Sequence, residues 1–491
     1  MDQVALWFVI LAAVLTVAAL ASGVIDRAPF SLPIIFLALG FILGPGALNL
    51  IHLSPKHPAL VAIATLNLAL VLFLDAARFD IDELRREWRV PLLDLGPGTV
   101  LTIAGVALAA ALLLHTSFIQ SILLGAVLAS TDPIVLRDIV RDERVPRSVR
   151  RTLTIEAGTN DIIVLPIVLI AIEIMLATGG GVGYWLGFLA RLLILSPLVG
   201  LAVGGVGAWL MGKADERYSI RREYQALYGI GLVLVSYTAA QSIGGDGFLA
   251  SFFAGLAVAL FSVTLCDCFM DYGEVTAEMA MLLAFILFGA VLGPLFGTIG
   301  FGLALVFALI TIFVVRPGAM LLALMRAKMS PLARGFIAWF GPRGLSALLL
   351  ALLVVEAGAP QANMLLAVTG VVVVVSVLAH GVTATPAARW YGEKVAQAQQ
   401  TMAEERESSA AGLFEGEATE APRVTPEQLH AWIEESPPPI VLDVRSRAHY
   451  AESDGQIPGS IRVLPDQIHE WAEANEADLA AKHRRVVAYC T

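Results

Sequence analysis

Long apolar runs constrain this chain more than any other feature. Thirteen such runs, each about the length of a membrane span, precede residue 390. The chain of 491 residues is 57% hydrophobic and 15% charged, which excludes an ordinary soluble protein. Because a bilayer offers no water to the backbone, runs this long must form helices rather than barrel strands. The sequence predicts an all-α polytopic membrane protein with spans near residues 4–24, 31–51, 59–77, 92–113, 118–139, 151–177, 183–211, 224–243, 246–262, 277–297, 299–325, 333–356 and 362–385.

Basic residues set the predicted orientation of these spans. Lys and Arg are concentrated in alternate loops, whereas the opposite loops hold only Lys56. Cytoplasmic loops carry the excess of Lys and Arg in membrane proteins. We therefore predict a multi-pass protein of the cell membrane with its N-terminus outside and its C-terminal domain in the cytoplasm.

The composition changes after the last predicted span. Residues 391–423 are rich in Ala, Glu, Gln and Ser and are interpreted as a cytoplasmic linker. A small soluble α/β domain is predicted over residues 424–491. The chain is thus divided into a membrane domain (1–390), the linker and this domain. Neither a cofactor nor a nucleic-acid partner is expected, and the net charge of −10 lies largely in the tail.

Two predicted spans are interrupted by proline beside a charged residue. The fifth span is broken by Thr131-Asp132-Pro133, and the twelfth by Gly341-Pro342-Arg343-Gly344. The breaks are seven spans apart, so their helices run in opposite directions, as an inverted repeat of spans 1–6 and 8–13 requires. Interrupted helices at matching positions are typical of the ion site of a transporter. The alternative is that both prolines are simple kinks.

Asp161 is the predicted carrier of a cation and of a proton. It lies about ten residues, or roughly 15 Å, into the sixth span and so near the middle of the bilayer. Ionisable residues at this depth cost roughly 2.5–3.5 kcal/mol on insertion scales and usually mark an ion or proton pathway. Moving the empty carboxylate would carry a bare charge through a low dielectric. Obligatory, one-for-one electroneutral exchange is therefore expected.

Further polar residues complete the predicted site. Thr131 can offer its hydroxyl and its main-chain carbonyl to Na⁺ or Li⁺ bound at Asp161. Asp132 lies at the break, where it can also balance a helix terminus. We predict a cation-binding set of Asp161, Thr131, Asp132, Asn160 and Asp75.

Two further charged residues are predicted to form a structural ion pair. Glu156 precedes Asp161 by five residues on the same span, and Arg343 lies at a similar depth on the twelfth span. A Glu156–Arg343 pair would neutralise both charges and join the two spans. Arg316, in Val315-Arg316-Pro317, is interpreted as structural.

These motifs together resemble the NhaP-type family of monovalent cation:proton antiporters, which is related to the eukaryotic Na⁺/H⁺ exchangers. The resemblance covers residues 1–390. It implies thirteen spans, a homodimer in the lipid bilayer, and electroneutral exchange of Na⁺ for H⁺ by an elevator movement. It also implies the carrier role for Asp161, coordination by Thr131, and the Glu156–Arg343 pair. The motifs that carry it are Ser130-Thr131-Asp132-Pro133, Asn160-Asp161 preceded by Glu156, Val315-Arg316-Pro317 and Phe340-Gly341-Pro342-Arg343-Gly344.

Two positions depart from the family's pattern. The family often has Glu where this chain has Asp75, and often Ser or a similar ligand where it has Ala157. Without a hydroxyl at Ala157, water or a carbonyl must complete the shell of the cation. The choice between Na⁺, Li⁺ and K⁺ therefore stays open, with a K⁺/H⁺ antiporter as the alternative.

The C-terminal domain resembles the rhodanese fold. The segments that carry the resemblance are Asp443-Val444-Arg445 and Gly455-Gln456-Ile457-Pro458-Gly459-Ser460, followed by the apolar strand pattern Val486-Val487-Ala488-Tyr489. Cys490 stands where a sulfurtransferase has its nucleophile. The sequence ends one residue later, before the anion-cradling loop and helix that such a pocket needs. We expect this domain to be incomplete and treat Cys490 as a candidate nucleophile.

The sequence argues against two other function classes, a membrane-anchored sulfurtransferase and a cation channel. A membrane-anchored sulfurtransferase would not need thirteen spans with charges buried inside them. A cation channel is expected to have a carbonyl filter or rings of charge, and the sequence has neither signature. The pair Cys266 and Cys268 could supply only two ligands to a soft metal, which do not close a site.

Overall fold

The structure is a computed structural model. It describes residues 9, 12, 16, 20, 32–78, 89–133, 136–142, 144–176, 180–261, 263–297, 299–396, 424, 426–433, 438–445, 455–463, 471–472, 474–475 and 485–489. Most of the first predicted span, nearly all of the linker and Cys490 lie outside these residues. The chain divides into two compact units, Met1–Val395 and Ala396–Thr491, and each is described by itself.

Helices account for nearly all of the described part of the first unit. In chain order they are α1 Leu32–Leu43, α2 Pro58–Ala77, α3 Arg89–Leu93, α4 Thr99–Leu113, α5 Phe118–Ala129, α6 Arg137–Val140, α7 Arg147–Met175, α8 Val182–Ala190, α9 Ser196–Tyr218, α10 Arg222–Ser242, α11 Gly247–Phe261, α12 Val263–Phe296, α13 Phe301–Ile310, α14 Arg316–Ala323, α15 Pro331–Trp339, α16 Leu345–Glu356 and α17 Ala362–Ala396. The second unit contributes α18 Pro426–Ile433.

The predicted fold class is confirmed. Each predicted span from the second to the thirteenth overlaps a helix, and seven helices among the described residues are long and apolar enough to cross a membrane by themselves. Four further apolar helices are shorter, because two of the predicted spans are split and others are brief. The number thirteen stays a prediction, since the first span is largely undescribed.

Three π-helical turns interrupt the long spans, and a proline explains each of them. They are Asp94–Gly98, Arg191–Leu195 and Thr311–Val315. Pro97 lies inside the first, and Pro197 and Pro317 follow the other two by two residues. Proline lacks an N–H and its ring clashes with the carbonyl four residues earlier, so the ladder of hydrogen bonds widens locally. The first turn contains the buried Asp94, and the third directly precedes the buried Arg316.

Glycine allows close approach of α2 and α11 beside the centre of the first unit. A Cβ at Gly255 would overlap the main-chain carbonyl of Phe73. Small residues at helix contacts are typical of membrane bundles, where van der Waals packing replaces the hydrophobic effect. This contact holds the C-terminal end of α2, with Asp75, against α11.

The second unit contains a three-stranded parallel sheet. Strands β1 Ile440–Asp443, β2 Ile461–Arg462 and β3 Val486–Tyr489 have the order β2-β1-β3, with Leu442 opposite Ile461 and Ala488. The central strand is nearly continuously apolar, as a parallel strand covered on both faces must be. Leu442, Val444 and Val463 form its small core.

A buried ion pair closes the carboxyl end of β1. Arg445 donates from Nη2 to Asp443 Oδ2 at 2.6 Å, and Tyr489 donates its hydroxyl to the same oxygen at 2.9 Å. These hydrogen bonds hold the pKa of Asp443 at about 2, below its usual value of 3.8, although burial acts in the opposite direction. The charged form of Asp443 thus belongs to the folded state.

We expect Asp443→Asn to destabilise the second unit by on the order of 3 kcal/mol at neutral pH, because it leaves a buried guanidinium without its counter-ion. A carboxyl with a depressed folded pKa adds stability above its unfolded pKa, here about 4, and loses it as the pH falls towards 2. The difference in the free energy of unfolding between parent and variant should therefore disappear as the pH falls towards 2. Hydrogen–deuterium exchange of β1 in the whole protein, corrected for intrinsic rates, measures it, with peptides of α7 as the internal control. Equal protection of β1 at pH 7 would contradict the prediction.

Candidate functional site

The two predicted breaks meet and are joined by hydrogen bonds. Helix α5 ends at Ala129, and α15 ends at Trp339 before the chain resumes as α16. The Asp132 main-chain N–H donates to Pro342 O at 2.9 Å, and the Leu345 N–H donates to Asp132 Oδ2 at 2.7 Å. Asp132 thereby caps the N-terminus of the half-helix α16, where a negative charge complements the helix dipole. Its position agrees with the helix-terminus role considered from the sequence.

The close crossing of the breaks depends on Gly344. A Cβ at this position would overlap the Asp132 carboxylate. We expect Gly344→Ala to cost at least the 1–3 kcal/mol typical of overpacking and to abolish the cap of α16. Thermal unfolding in detergent measures the loss. The control is Gly335→Ala on α15, where a Cβ meets no atom within 4 Å, and which should be neutral or slightly stabilising. An equally stable Gly344→Ala protein would contradict this account.

Asp161 faces the first break from the middle of α7. The Ser130 hydroxyl donates to Asp161 Oδ1 at 2.6 Å, and both side chains are buried. The neighbouring Asn160 donates from Nδ2 to Ala129 O at 2.8 Å and to Thr131 Oγ1 at 3.4 Å. The structure therefore brings the predicted residues Asp161, Asn160 and Thr131 together.

One side-chain oxygen of this cluster makes no hydrogen bond to the described residues. Asn160 Oδ1 is buried and has no hydrogen-bond partner among the residues that the structure describes. Together with the Asp161 carboxylate and the hydroxyls of Ser130 and Thr131, it gives a set of oxygens and no sulfur or nitrogen acceptor. Hard cations take oxygen ligands, whereas a lone carboxylate can take a proton instead. This chemistry suits a site that alternates between a hard cation and a proton.

Asp75 lies one step away from this cluster. It is buried near the C-terminal end of α2 and receives a hydrogen bond from Arg78 Nη1 at 3.2 Å. A Cβ at Gly158 would lie 3.7 Å from the Asp75 Cβ, so α2 approaches α7 three residues before Asp161. Asp75 is therefore close to the site helix, and its role as a ligand stays a prediction.

The predicted Glu156–Arg343 ion pair is wrong, because Glu156 pairs with Arg316. Arg316 Nη2 donates to both carboxylate oxygens of Glu156, at 2.6 and 2.8 Å, and both side chains are buried. The π turn before α14 carries Arg316 inwards to α7. The structural role of Arg316 stays a prediction, and the contact with Glu156 agrees with it.

Arg343 instead stabilises the second break. Its Nη1 donates to Gly341 O at 2.9 Å, and its main-chain N–H donates to Ser376 Oγ on α17 at 2.6 Å. His380, one turn along α17, contacts Trp339 O through Nε2 at 3.0 Å. These bonds satisfy backbone groups that the interruption of the helix leaves open.

Sequence reasoning missed two residues of the interior. Asp94, in the first π turn, is fully buried and interacts with Glu156 and Arg316. Ser130 belongs to the quoted motif, yet only Thr131 and Asp132 were given roles. Asp94 had a signal in the sequence, since it is an acid inside an apolar span followed by Gly96-Pro97-Gly98. The signal for Ser130 was its position three residues before Pro133, where α5 is expected to end.

The family of the membrane unit follows from comparison with known proteins. Residues 11–390 match the sodium/hydrogen exchanger, transmembrane, family. The K(+)/H(+) antiporter NhaP2 of Shewanella sp. (strain MR-4) is 28% identical over 400 residues, which are 79% of this chain and 67% of the relative. The K(+)/H(+) antiporter NhaP of Alkalimonas amylolytica is 25% identical over 393 residues, with the same coverage.

Solved structures agree on the fold. The sodium proton antiporter MjNhaP1 from Methanocaldococcus jannaschii superposes with a TM-score of 0.63 at 20% identity, covering 77% of this chain and 99% of that one. At the other end of the chain, residues 425–491 match the rhodanese-like domain. The predicted nucleophile Cys490 lies outside the described residues. With its crossed breaks, its buried carboxylates and the match over residues 11–390, the chain belongs to the sodium/hydrogen exchanger family.

Proposed function

We propose that this protein exchanges one monovalent cation for one proton across the cell membrane, and that Asp161 carries both. The observation that carries the proposal is a buried carboxylate that faces a broken helix, with the Ser130 hydroxyl 2.6 Å from it. The adjacent residue Asn160 has a buried side-chain oxygen without a hydrogen-bond partner in the described part of the chain. Thr131 and Asn160 are proposed as further ligands, with Asp132 and Asp75 as the outer acids of the site.

Charge explains why the exchange is coupled. Asp161 is neutral overall when it holds either a proton or a monovalent cation, and it is charged when empty. Taking an isolated carboxylate into a low dielectric is strongly unfavourable, so the loaded forms cross and the empty form does not. One-for-one exchange moves no net charge, and an elevator-type movement of the site against the rest of the bundle would provide alternating access.

The identity of the cation rests on two lines of support that differ. The NhaP-type resemblance favours Na⁺ or Li⁺, and a 150-residue stretch is 30% identical to Na(+)/H(+) antiporter 2 of Zygosaccharomyces rouxii, covering 29% of this chain and 19% of that protein. The relatives that match over most of this chain are named K(+)/H(+) antiporters. We propose Na⁺ as the principal cation, and K⁺ is the second candidate.

The wider organisation is proposed on the sequence pattern. Residues 1–390 are the antiporter domain, 391–423 the linker and 424–491 the rhodanese-like domain. The basic loops support an outside N-terminus and a cytoplasmic tail. A homodimer is proposed from the family resemblance. Sulfurtransferase activity would need Cys490 at the head of an anion-binding loop. The buried carboxylate and the broken helices of the membrane unit support a transporter as the proposed function.

Proteoliposomes loaded with a pH gradient test the function. Addition of Na⁺, Li⁺ or K⁺ should dissipate the gradient, and the concentration dependence of the rate identifies the preferred cation. Imposing a membrane potential of either sign with a permeant anion should leave the rate unchanged, because the exchange is electroneutral. A gradient that no monovalent cation dissipates, with liposomes free of protein as the baseline, would reject the proposal.

A further inference from the structure

We propose that the Ser130 hydroxyl is a direct ligand of the transported cation and sets how well the cation competes with the proton at Asp161. The inference rests on the proposed function and adds to it a residue that determines specificity.

The position of Ser130 follows from the end of α5. Ser130 is the first residue after the helix, with φ −56° and ψ 132°, so its backbone leaves the helical path. The side chain is fully buried and its Oγ lies 2.6 Å from Asp161 Oδ1. A residue inside α5 would return its hydroxyl to its own helix, as Ser251 on α11 does with the Gly247 carbonyl. The break therefore releases the Ser130 hydroxyl for the site.

A hydroxyl can serve both loaded states of the carrier. It has one hydrogen to donate and two lone pairs to accept with, and it rotates freely. Towards the empty carboxylate it donates its hydrogen, which is the arrangement that the structure contains. When a cation lies against Asp161, rotation of the same O–H turns a lone pair towards the cation at little cost. No movement of the backbone is required.

The hydroxyl supplies an oxygen that α7 itself does not provide. Residue 157 lies one turn before Asp161 on the same face of α7, and it is a buried alanine. The methyl group there offers nothing to a cation. Ser130, Asn160 Oδ1 and the Asp161 carboxylate form the oxygen cluster from the opposite sides of the contact between α5 and α7.

Ser130 is also the hydrogen-bond donor that the described residues give to Asp161. Removing it raises the free energy of the charged, empty carboxylate. A proton relieves that cost fully, whereas a cation also loses one of its ligands. Both consequences favour the proton, so the loss of the hydroxyl should weaken cation binding and move the working pH range towards alkaline values.

Other charges near α7 stay constant in such a variant. Besides Arg147, Arg150, Arg151, Glu156, Asp161 and Glu173 on α7 itself, the elements that approach α7 carry further charged side chains among those that the structure describes. They are Asp75 and Arg78 on α2, Asp94 in the π turn, Asp132 and Arg343 at the breaks, Arg137 on α6, Arg316 on α14, Arg334 on α15 and Glu356 on α16. A change in the pH profile of the Ser130 variant therefore reports the hydroxyl.

The test compares Ser130→Ala with the parent protein in proteoliposomes, using Na⁺ and K⁺ as the probes. The expected result is a KM for the cation raised on the order of tenfold or more, and a pH of half-maximal activity that moves alkaline by about one unit. The matched control is Ser251→Ala, which removes a buried serine hydroxyl from α11 and should leave both quantities unchanged. A purely structural role would lower the maximal rate without moving either quantity.

Three further variants keep the outcome decisive. Ser130→Thr retains the hydroxyl and should retain a KM close to that of the parent. Ala157→Ser in the Ser130→Ala background places a hydroxyl one turn from Asp161 and should recover part of the lost affinity. If Ser130→Ala does not fold, Ser130→Cys preserves the volume and should show the same raised KM. A Ser130→Ala or Ser130→Cys protein with parental KM and pH profile overturns the inference, whereas a parent protein without any cation response rejects the proposed function instead.

Discussion

Asp161→Asn is expected to reduce cation-dependent dissipation of a pH gradient to the level of liposomes free of protein. The amide keeps the size of the side chain and can still receive the Ser130 hydrogen bond, but it binds neither a proton nor a compensating cation charge. The site would then be neutral while empty, and nothing would couple its movement to an ion. The measurement is the rate of gradient dissipation in proteoliposomes across Na⁺, Li⁺ and K⁺.

A second carboxylate of the membrane unit provides the control. Glu356 ends α16 and is exposed, so Glu356→Gln removes one acid outside the site and should leave the exchange rate unchanged. Size-exclusion profiles and thermal unfolding of both variants should match the parent, because each exchange preserves volume. Parental activity of Asp161→Asn would transfer the carrier role to Asp132 or Asp75.

Arg316→Gln is expected to produce the largest loss of stability among single substitutions in the membrane unit. Breaking a buried ion pair by removing one partner costs about 3–5 kcal/mol. The loss here leaves Glu156 without its two hydrogen bonds and beside a second buried acid, Asp94. Glu156→Gln should cost less, because the glutamine side-chain oxygen can still accept a hydrogen bond from Arg316. Thermal unfolding in detergent should rank the parent first, Glu156→Gln second and Arg316→Gln last.

The double variant Glu156→Gln/Arg316→Gln separates charge from shape. Two amides can bond each other, so the double variant should be more stable than Arg316→Gln alone, which is a coupling that a double-mutant cycle measures directly. The exposed pair Asp142–Arg144 is the reference cycle and should give a coupling of about 0–1 kcal/mol. Strict additivity of the Glu156 and Arg316 substitutions would show that the ion pair has no energetic role.

The spans and the breaks could be predicted from the sequence because they follow from local chemistry. The requirement for backbone hydrogen bonds in a membrane turns an apolar run into a helix. Proline beside a charged residue marks the two interruptions, at Asp132-Pro133 and at Pro342-Arg343, whereas Pro166 lies among uncharged neighbours inside an unbroken α7. The depth of Asp161 follows from counting residues along one helix. These inferences needed no knowledge of which helices touch.

The partner of Glu156 could not be predicted in this way. Arg316 and Arg343 are both buried arginines near proline, and they are separated from Glu156 by more than 150 positions along the chain. Only the inward course of the chain at the Thr311–Val315 turn distinguishes them. Asp94 depends on the same kind of tertiary contact, since its proximity to Glu156 results from the Asp94–Gly98 turn.

Ser130 was missed for a different reason. An acid and a hydroxyl at a proline break, Asp132 and Thr131, indicate an ion site, whereas serine is common in membrane helices and usually bonds to its own backbone. The direction of its hydroxyl depends on whether residue 130 is the last residue of α5 or the first beyond it. Helix boundaries are the least certain part of a sequence-based prediction. Here a shift of one residue in the predicted end of α5 changes whether the Ser130 hydroxyl bonds its own helix or Asp161.

The double attachment of Asp132 has a mechanical consequence. One hydrogen bond from its main chain and one to its side chain bind the α5 break to the start of α16, so the two interrupted segments form a single brace. A shift of one segment alone would break both hydrogen bonds and take the acceptors away from two buried peptide N–H groups, those of Asp132 and Leu345, which is costly in a region without water. Any relative movement of helices in this unit is then expected outside these two hydrogen-bonded segments rather than between them. The proposed ion site at Asp161 therefore lies beside two segments that are held to each other as one unit.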